Sequence, residues 1–135
     1  MRHTVRGRRK KAAAALELTI LLPWLCLLAL GSLDIGRVLS AHATITDCAR
    51  NGALHASDAT AAARSPYANY AAAAMADGAS LSPALTASNV SLSTSSDSYG
   101  SYVEVKVAHE VPLLCGVLSA STCKVSRTVR MRVAP

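Results

Sequence analysis

Two different apolar patterns divide the first half of the chain. From Ala12 to Leu33 apolar residues follow one another almost without interruption, and Glu17 is the only charge among them. As a helix this run would be about 33 Å long, enough for a bilayer core of roughly 30 Å. From Arg37 to about Arg64 the apolar residues instead recur in steps of three and four. Val38, Ala41, Ile45, Cys48, Ala49, Gly52, Ala56, Ala59 and Ala63 form a narrow stripe of mostly small side chains. Such a stripe lets a sheet or a second helix come close. No proline falls between Arg37 and Arg64, so the two patterns predict one helix from Ala13 to Arg64, about 78 Å long. Ser65-Pro66 stops it.

The second half changes period. The Ala-rich stretch 67–79 predicts a short helix ended at Gly78. The Ser- and Thr-rich stretch 80–101 predicts a linker that leads into a first strand at about Asn89 to Thr94. Strict alternation follows. Val103, Val105 and Val107 point one way, and Tyr102, Glu104 and Lys106 the other. In the last strand Val125, Val129, Met131 and Val133 share a face with Arg127, while Ser126, Thr128, Arg130 and Arg132 take the opposite face. Ser95 to Ser101 supplies the hairpin turn between the first two strands. The expected sheet is three-stranded and antiparallel, with one face on the helical stripe and one face wet. Arg127, charged on the inner face, is expected at a sheet edge. The fold class is therefore α+β: a long N-terminal helix, membrane-spanning in its first half, and a small antiparallel sheet.

Charge adds a direction to this plan. Arg2, Arg6, Arg8, Arg9, Lys10 and Lys11 stand before the apolar run without an acid among them, and the net charge of +6 resides entirely in this tail. A nucleic-acid-binding domain would spread its basic residues over a folded face. A basic cluster abutting an apolar run reads as topology, with the N-terminus inside and everything after Asp34 outside. The expected organisation is a basic leader (1–12), a transmembrane segment (13–36) and an extracytoplasmic helix plus β head (37–135). Two other readings use the same residues. One is a secretory signal cleaved after Ala41-His42-Ala43; Asp34 and Arg37 and the length of the apolar run weigh against it. The other is a generic single-span anchor that tolerates Glu17 near its end.

The carboxylate is the informative residue. A charge at the centre of a spanning helix costs roughly 2.5 to 3.5 kcal/mol on insertion scales. No Lys or Arg lies within the span to offset it, so a partner must come from another chain or from an amine freed by cleavage just upstream. Asp34 and Arg37, at the far end, are spaced to pair at i, i+3. Pro23 removes the helical donor for the carbonyl near Thr19 and should bend the helix.

The ordered set of Glu17, Pro23, Gly31, Asp34, Gly36, Arg37 and Ala49-Arg50, behind a short basic leader, resembles the TadE-like family of pilus-assembly proteins of bacterial tight-adherence (Flp) systems. The resemblance covers about residues 8 to 56. It implies a pilin-like layout and, if a prepilin peptidase acts, a cut between Ala12 and Ala13 that would make Glu17 the fifth mature residue. Family members that are processed usually carry Gly before the cut and an aromatic after the Glu; Ala12 and Leu18 stand there in this chain. The implied function is that of a minor pilin-like component of a tight-adherence pilus assembly or secretion apparatus. The implied location is the bacterial cytoplasmic membrane, with membrane lipid and other apparatus subunits as partners. The competing reading is a single-span extracytoplasmic adaptor that never enters a pilus.

The remaining chemistry is sparse. Cys115 and Cys123 bracket a short loop, where a disulfide outside the cytoplasm would contribute about 2.5 kcal/mol on the chain-entropy model; two free thiols are the other possibility. His42, Cys48 and His55 do not have the i, i+4 spacing of a helical metal pair. No nucleophile elbow, zinc-protease helix or phosphate-cradling loop occurs. Neither a cofactor nor a metal nor an enzymatic activity is expected.

Overall fold

In the computed structural model the described residues are 3–114 and 121–133, with side chains from residue 15 onward. One helix dominates: α1 (His3–Ser57), 55 residues, runs unbroken through Pro23. At 1.5 Å per residue it is about 82 Å long. It starts ten residues earlier than expected, so residues 3–12 of the basic leader are helical too.

The predicted continuation to Arg64 is corrected at Asp58. That residue is extended (φ −129°, ψ 108°), and α2 (Ala59–Arg64) restarts beyond it. The cause is local: Asp58 Oδ1 accepts the amides of Thr60 at 2.8 Å and Ala61 at 3.1 Å. A carboxylate that caps a new first turn competes with its own place inside a helix. As a result Ala59 and Ala63, expected on the buried stripe, are exposed. α3 (Tyr70–Asp77) begins at an Asn69 cap whose side chain accepts Ala72 N. It passes into a 3₁₀ turn (Gly78–Ser80), so the helical part is shorter than the predicted 67–79.

Three strands follow: β1 (Val90–Asp97), β2 (Gly100–Pro112) and β3 (Thr122–Arg132). They form one antiparallel sheet in the order β1-β2-β3. β1 extends three residues further into the Ser-rich stretch than predicted. Its hairpin closes through Ser98–Tyr99, with Asp97 paired to Gly100. Gly100 takes φ +121°, where an L side chain rarely sits, and Asp97 Oδ1 accepts Tyr99 N at 2.9 Å to hold the turn.

The sheet lies along the upper half of α1, and the core sits between them. Ala41, Ile45, Cys48, Ala49 and Ala53 on the helix meet Val105, Val107, Val111 and Val125 on the sheet. The alternation predicted in β2 holds, with Val103, Val105 and Val107 all buried. Parity carries the same face on to His109, 4% exposed, and Val111. Arg127 is exposed on an edge strand, as expected.

Small residues set the spacing. A Cβ at Gly52 would lie 3.1 Å from Ala74 Cβ on α3 and 3.3 Å from Val105 Cγ1 on β2. Only a glycine lets both elements approach the helix this closely. β1, by contrast, buries only Val90. Its Ser-rich sequence suits a strand whose outer edge is unpaired.

Candidate functional site

α1 changes character at Gly31. Every residue from Ala15 to Leu30 is exposed, including Trp24 (67%) and Leu28 (70%). The helix is apolar on all sides there, and it is long and apolar enough to cross a membrane. A helix that is apolar all round belongs in a protein core or in a membrane, and no protein core surrounds this one. The few polar groups are turned inward: Thr19 Oγ1 donates to Ala15 O at 2.8 Å and Ser32 Oγ to Ala29 O at 2.7 Å. Satisfying donors within the segment is what an apolar solvent requires. Glu17 lies exposed in this half and has no ion pair among the described residues. Ala12 and Ala13 fall within α1, but their side chains lie outside the described residues.

The head first covers the helix at Asp34. Asp34 is 8% exposed, and its Oδ1 accepts the amide of Leu114 at 2.8 Å, across 80 residues of chain. The sequence spacing suggests an i, i+3 partner in Arg37; the structure gives the carboxylate a partner in the head. Asp34 is thus a tie between the helix, just past its exposed apolar run, and the segment that follows β2. Gly36 has nothing within 4 Å of where a Cβ would be. Arg37, half-buried, lines a cleft of about 150 Å3 with Ser40, Ser80, Ser82 and His109. His109 is recognisable as an inner-face residue by extending the alternation of β2 two positions further.

At the opposite end of the sheet, the hairpin turn is tied down by arginines. Arg130 Nη2 bonds Asp97 Oδ2 at 2.7 Å while its guanidinium lies 3.3 Å from the centre of the Tyr102 ring. Arg132 Nη1 donates to Tyr99 O at 2.7 Å. These contacts use the arginines internally, and stiffen the far end of the head. Alternation alone places Tyr102, Arg130 and Arg132 on the wet face but does not bring them together. Register supplies the pairing, with Tyr102 opposite Arg132 and Glu104 opposite Arg130.

The cysteines separate by environment. Cys26 is exposed on the apolar half, and Cys48 is fully buried. Cys123, the described half of the expected cross-link, is a free thiol. The register puts Cys123 opposite Val111, and its side chain packs against the apolar core as a small hydrophobe. Cys115 lies outside the described residues. His42 is exposed, and His55 Nε2 lies 3.1 Å from the Tyr67 carbonyl. Among the described residues no three His, Cys, Asp or Glu side chains come together.

The geometry is therefore that of a bare apolar helix whose continuation packs under a small head, with one buried carboxylate at the changeover. Neither the curated proteins nor the solved structures contain a match to the chain. The model of the TadE-like protein family matches residues 12–54, about a third of the chain. This stretch, similar to TadE-like proteins, begins where the apolar run begins and includes Glu17, Pro23, Asp34, Arg37 and the buried stripe up to Ala53.

Proposed function

We propose that the protein is a minor pilin-like component of a tight-adherence (Flp-type) pilus assembly or secretion apparatus. α1 anchors it in the bacterial cytoplasmic membrane, with the basic leader inside and the head outside. Its role is structural rather than catalytic: residues 13–36 span the membrane among the helices of other apparatus subunits, and the head is presented outside. Glu17 is the assembly contact, pairing with an amine on a neighbouring subunit. A prepilin peptidase, cutting between Ala12 and Ala13, would create such an amine on each mature chain.

The observation that carries this reading is the coincidence of the TadE-like match with the bare half of α1. The matched segment contains a helix exposed on all sides, and its one carboxylate there lies unpaired among the described residues. An isolated carboxylate in an apolar layer is costly and points to a partner outside the chain. The basic leader supports the orientation through the positive-inside rule.

Glu17→Ala tests it. An assembly component should lose its co-purifying subunits and its contribution to pilus output while still reaching the membrane. A Glu17→Ala protein that localises, retains its partners and supports piliation as the native chain does would overturn the assembly role and favour a single-span adaptor. Intact-mass measurement of the membrane-extracted protein tests processing separately. Loss of residues 1–12 is expected, and a start at Thr44 would remove the anchor altogether.

A further inference from the structure

We propose that the β2–β3 end of the head is a second membrane contact, with Leu114 seated in the lipid interface beside the point where α1 leaves the apolar layer. This rests on α1 being a membrane span.

The position of Leu114 is set by a main-chain bond. Its amide donates to Asp34 Oδ1 at 2.8 Å, so the end of β2 is pinned at the level of residue 34 on the helix. Asp34 is the first charge after the uncharged run Leu18–Leu33, which is about 24 Å long as a helix. With a bilayer core of roughly 30 Å, residue 34 stands at the edge of the apolar layer, and Leu114 stands there with it. Leu114 is nevertheless 64% exposed. At the same level on α1, Leu33 (56%) and Ile35 (64%) are exposed as well. Leu114 therefore adds an exposed apolar side chain at the level where the exposed apolar run of α1 ends. The charged groups nearest this level are withdrawn: Asp34 is covered, and Arg37 is half-buried beside the cleft above, while the exposed Ser32 gives its hydroxyl to the Ala29 carbonyl.

Lipid fits this surface better than a second protein. The helices of other subunits can take part of the span, but at Leu114 no bounded patch marks a protein partner for the head: the exposed apolar residues there lie at the upper rim of a helix exposed all round from Ala15 to Leu30. Contact at Leu114 as well as through α1 would hold the head at two points. Because the sheet is already packed on α1 through the core, the second contact would fix the tilt of helix and head together against the membrane, and the sheet would stand upright. The Ser98–Tyr99 turn would then lie about 40 Å further out, by the rise of β2.

The chain's single tryptophan, Trp24, supplies the control. The full-length protein is reconstituted in phosphatidylcholine vesicles with and without brominated acyl chains. Native Trp24 should lose emission in the brominated vesicles. A Trp24→Leu, Leu114→Trp variant should also lose emission and show a blue-shifted maximum. A Trp24→Leu, Tyr99→Trp variant should keep its full emission. Leu114→Trp retains the amide that Asp34 accepts and alters an exposed side chain, and far-UV circular dichroism matching that of the native chain checks the fold. If Leu114→Trp is as unquenched as Tyr99→Trp while native Trp24 is quenched, the second contact is overturned and the span stands. If Trp24 itself is unquenched, the span fails and the second contact fails with it.

Discussion

The lower and upper halves of α1 use different residues because they meet different neighbours. Between Ala15 and Leu30 the side chains are mainly leucine, and all are exposed. Between Ala41 and Ala53 the buried positions are Ala41, Ile45, Cys48, Ala49, Gly52 and Ala53. On the proposed reading lipid surrounds the lower half, and lipid conforms to any side chain, so that half can be large and irregular. A sheet cannot conform, so the upper half must be small where β2 and α3 approach. Asp34 lies at the changeover and is the one buried carboxylate among the described residues.

If the halves differ in this way, equal truncations should have unequal effects. Ile45→Ala, which opens a hole at a fully buried position, should destabilise the head by about 2 to 5 kcal/mol in urea unfolding of the detergent-solubilised protein. Leu28→Ala, at 70% exposure, should leave the head transition where it is. Similar losses from both would mean that the lower half packs on the head after all.

The glycines sharpen the same contrast. Gly52→Val forces side-chain atoms into Ala74 and Val105 and should destabilise the head by about 1 to 3 kcal/mol. Gly36→Ala meets nothing and should stabilise the helix by up to about 1 kcal/mol through propensity alone. A tolerated Gly52→Val would show that the close approach of α3 and β2 is dispensable.

The tie between the halves comes next. Asp34→Ala removes the acceptor for Leu114 N and should cost about 1 to 3 kcal/mol. The specific readout is hydrogen exchange at the Leu114 amide, which should become fast while amides in the middle of β2 stay protected. Slow exchange at Leu114 in that variant would remove Asp34 from its role as tie.

The smallest expected effect is at the break between α1 and α2. The amides of Ala61 and Thr60 hold the Asp58 carboxyl below its usual value of 3.8. A folded-state value below the unfolded one contributes stability that is present above the unfolded value and lost as pH falls through the folded one. The Asp58 cap should therefore hold at neutral pH and loosen only below about pH 4. Exchange at the Thr60 and Ala61 amides should rise over that range beyond its ordinary acid trend. Asp58→Asn keeps an acceptor and should abolish the pH dependence; persistence of the dependence in that variant would assign it to another group.

Much of the fold is legible in the residue pattern. The period-two run of Val103, Val105 and Val107 identifies the inner face of β2, because a pleated strand alternates whatever it packs on. The three- and four-residue stripe identifies the face of α1 that the sheet covers, from Val38 to Gly52. Arg127 reads as an edge residue and is one, since a charge between Val125 and Val129 could not be enclosed. The stripe fails at Ala59 and Ala63. Their spacing continues the helix, but Asp58 turns its carboxylate into a cap, and periodicity does not weigh that competition. Cys123 is close to Cys115 along the chain, which suggests a cross-link, whereas the direction of its side chain is set by the parity of β3.

The amino-acid order by itself determined the apolar run, its basic flank, the isolated Glu17, the small-residue stripe and the alternation of the strands. Each of these follows from periods and charges that are local in the chain. Only the tertiary structure decided that Asp34 bonds Leu114, that Gly52 is the point where α3 and β2 converge on α1, and that Arg130 settles between Asp97 and Tyr102. Those contacts join residues far apart in sequence. They depend on strand register and on how far along α1 the sheet comes to rest, neither of which has a local signature.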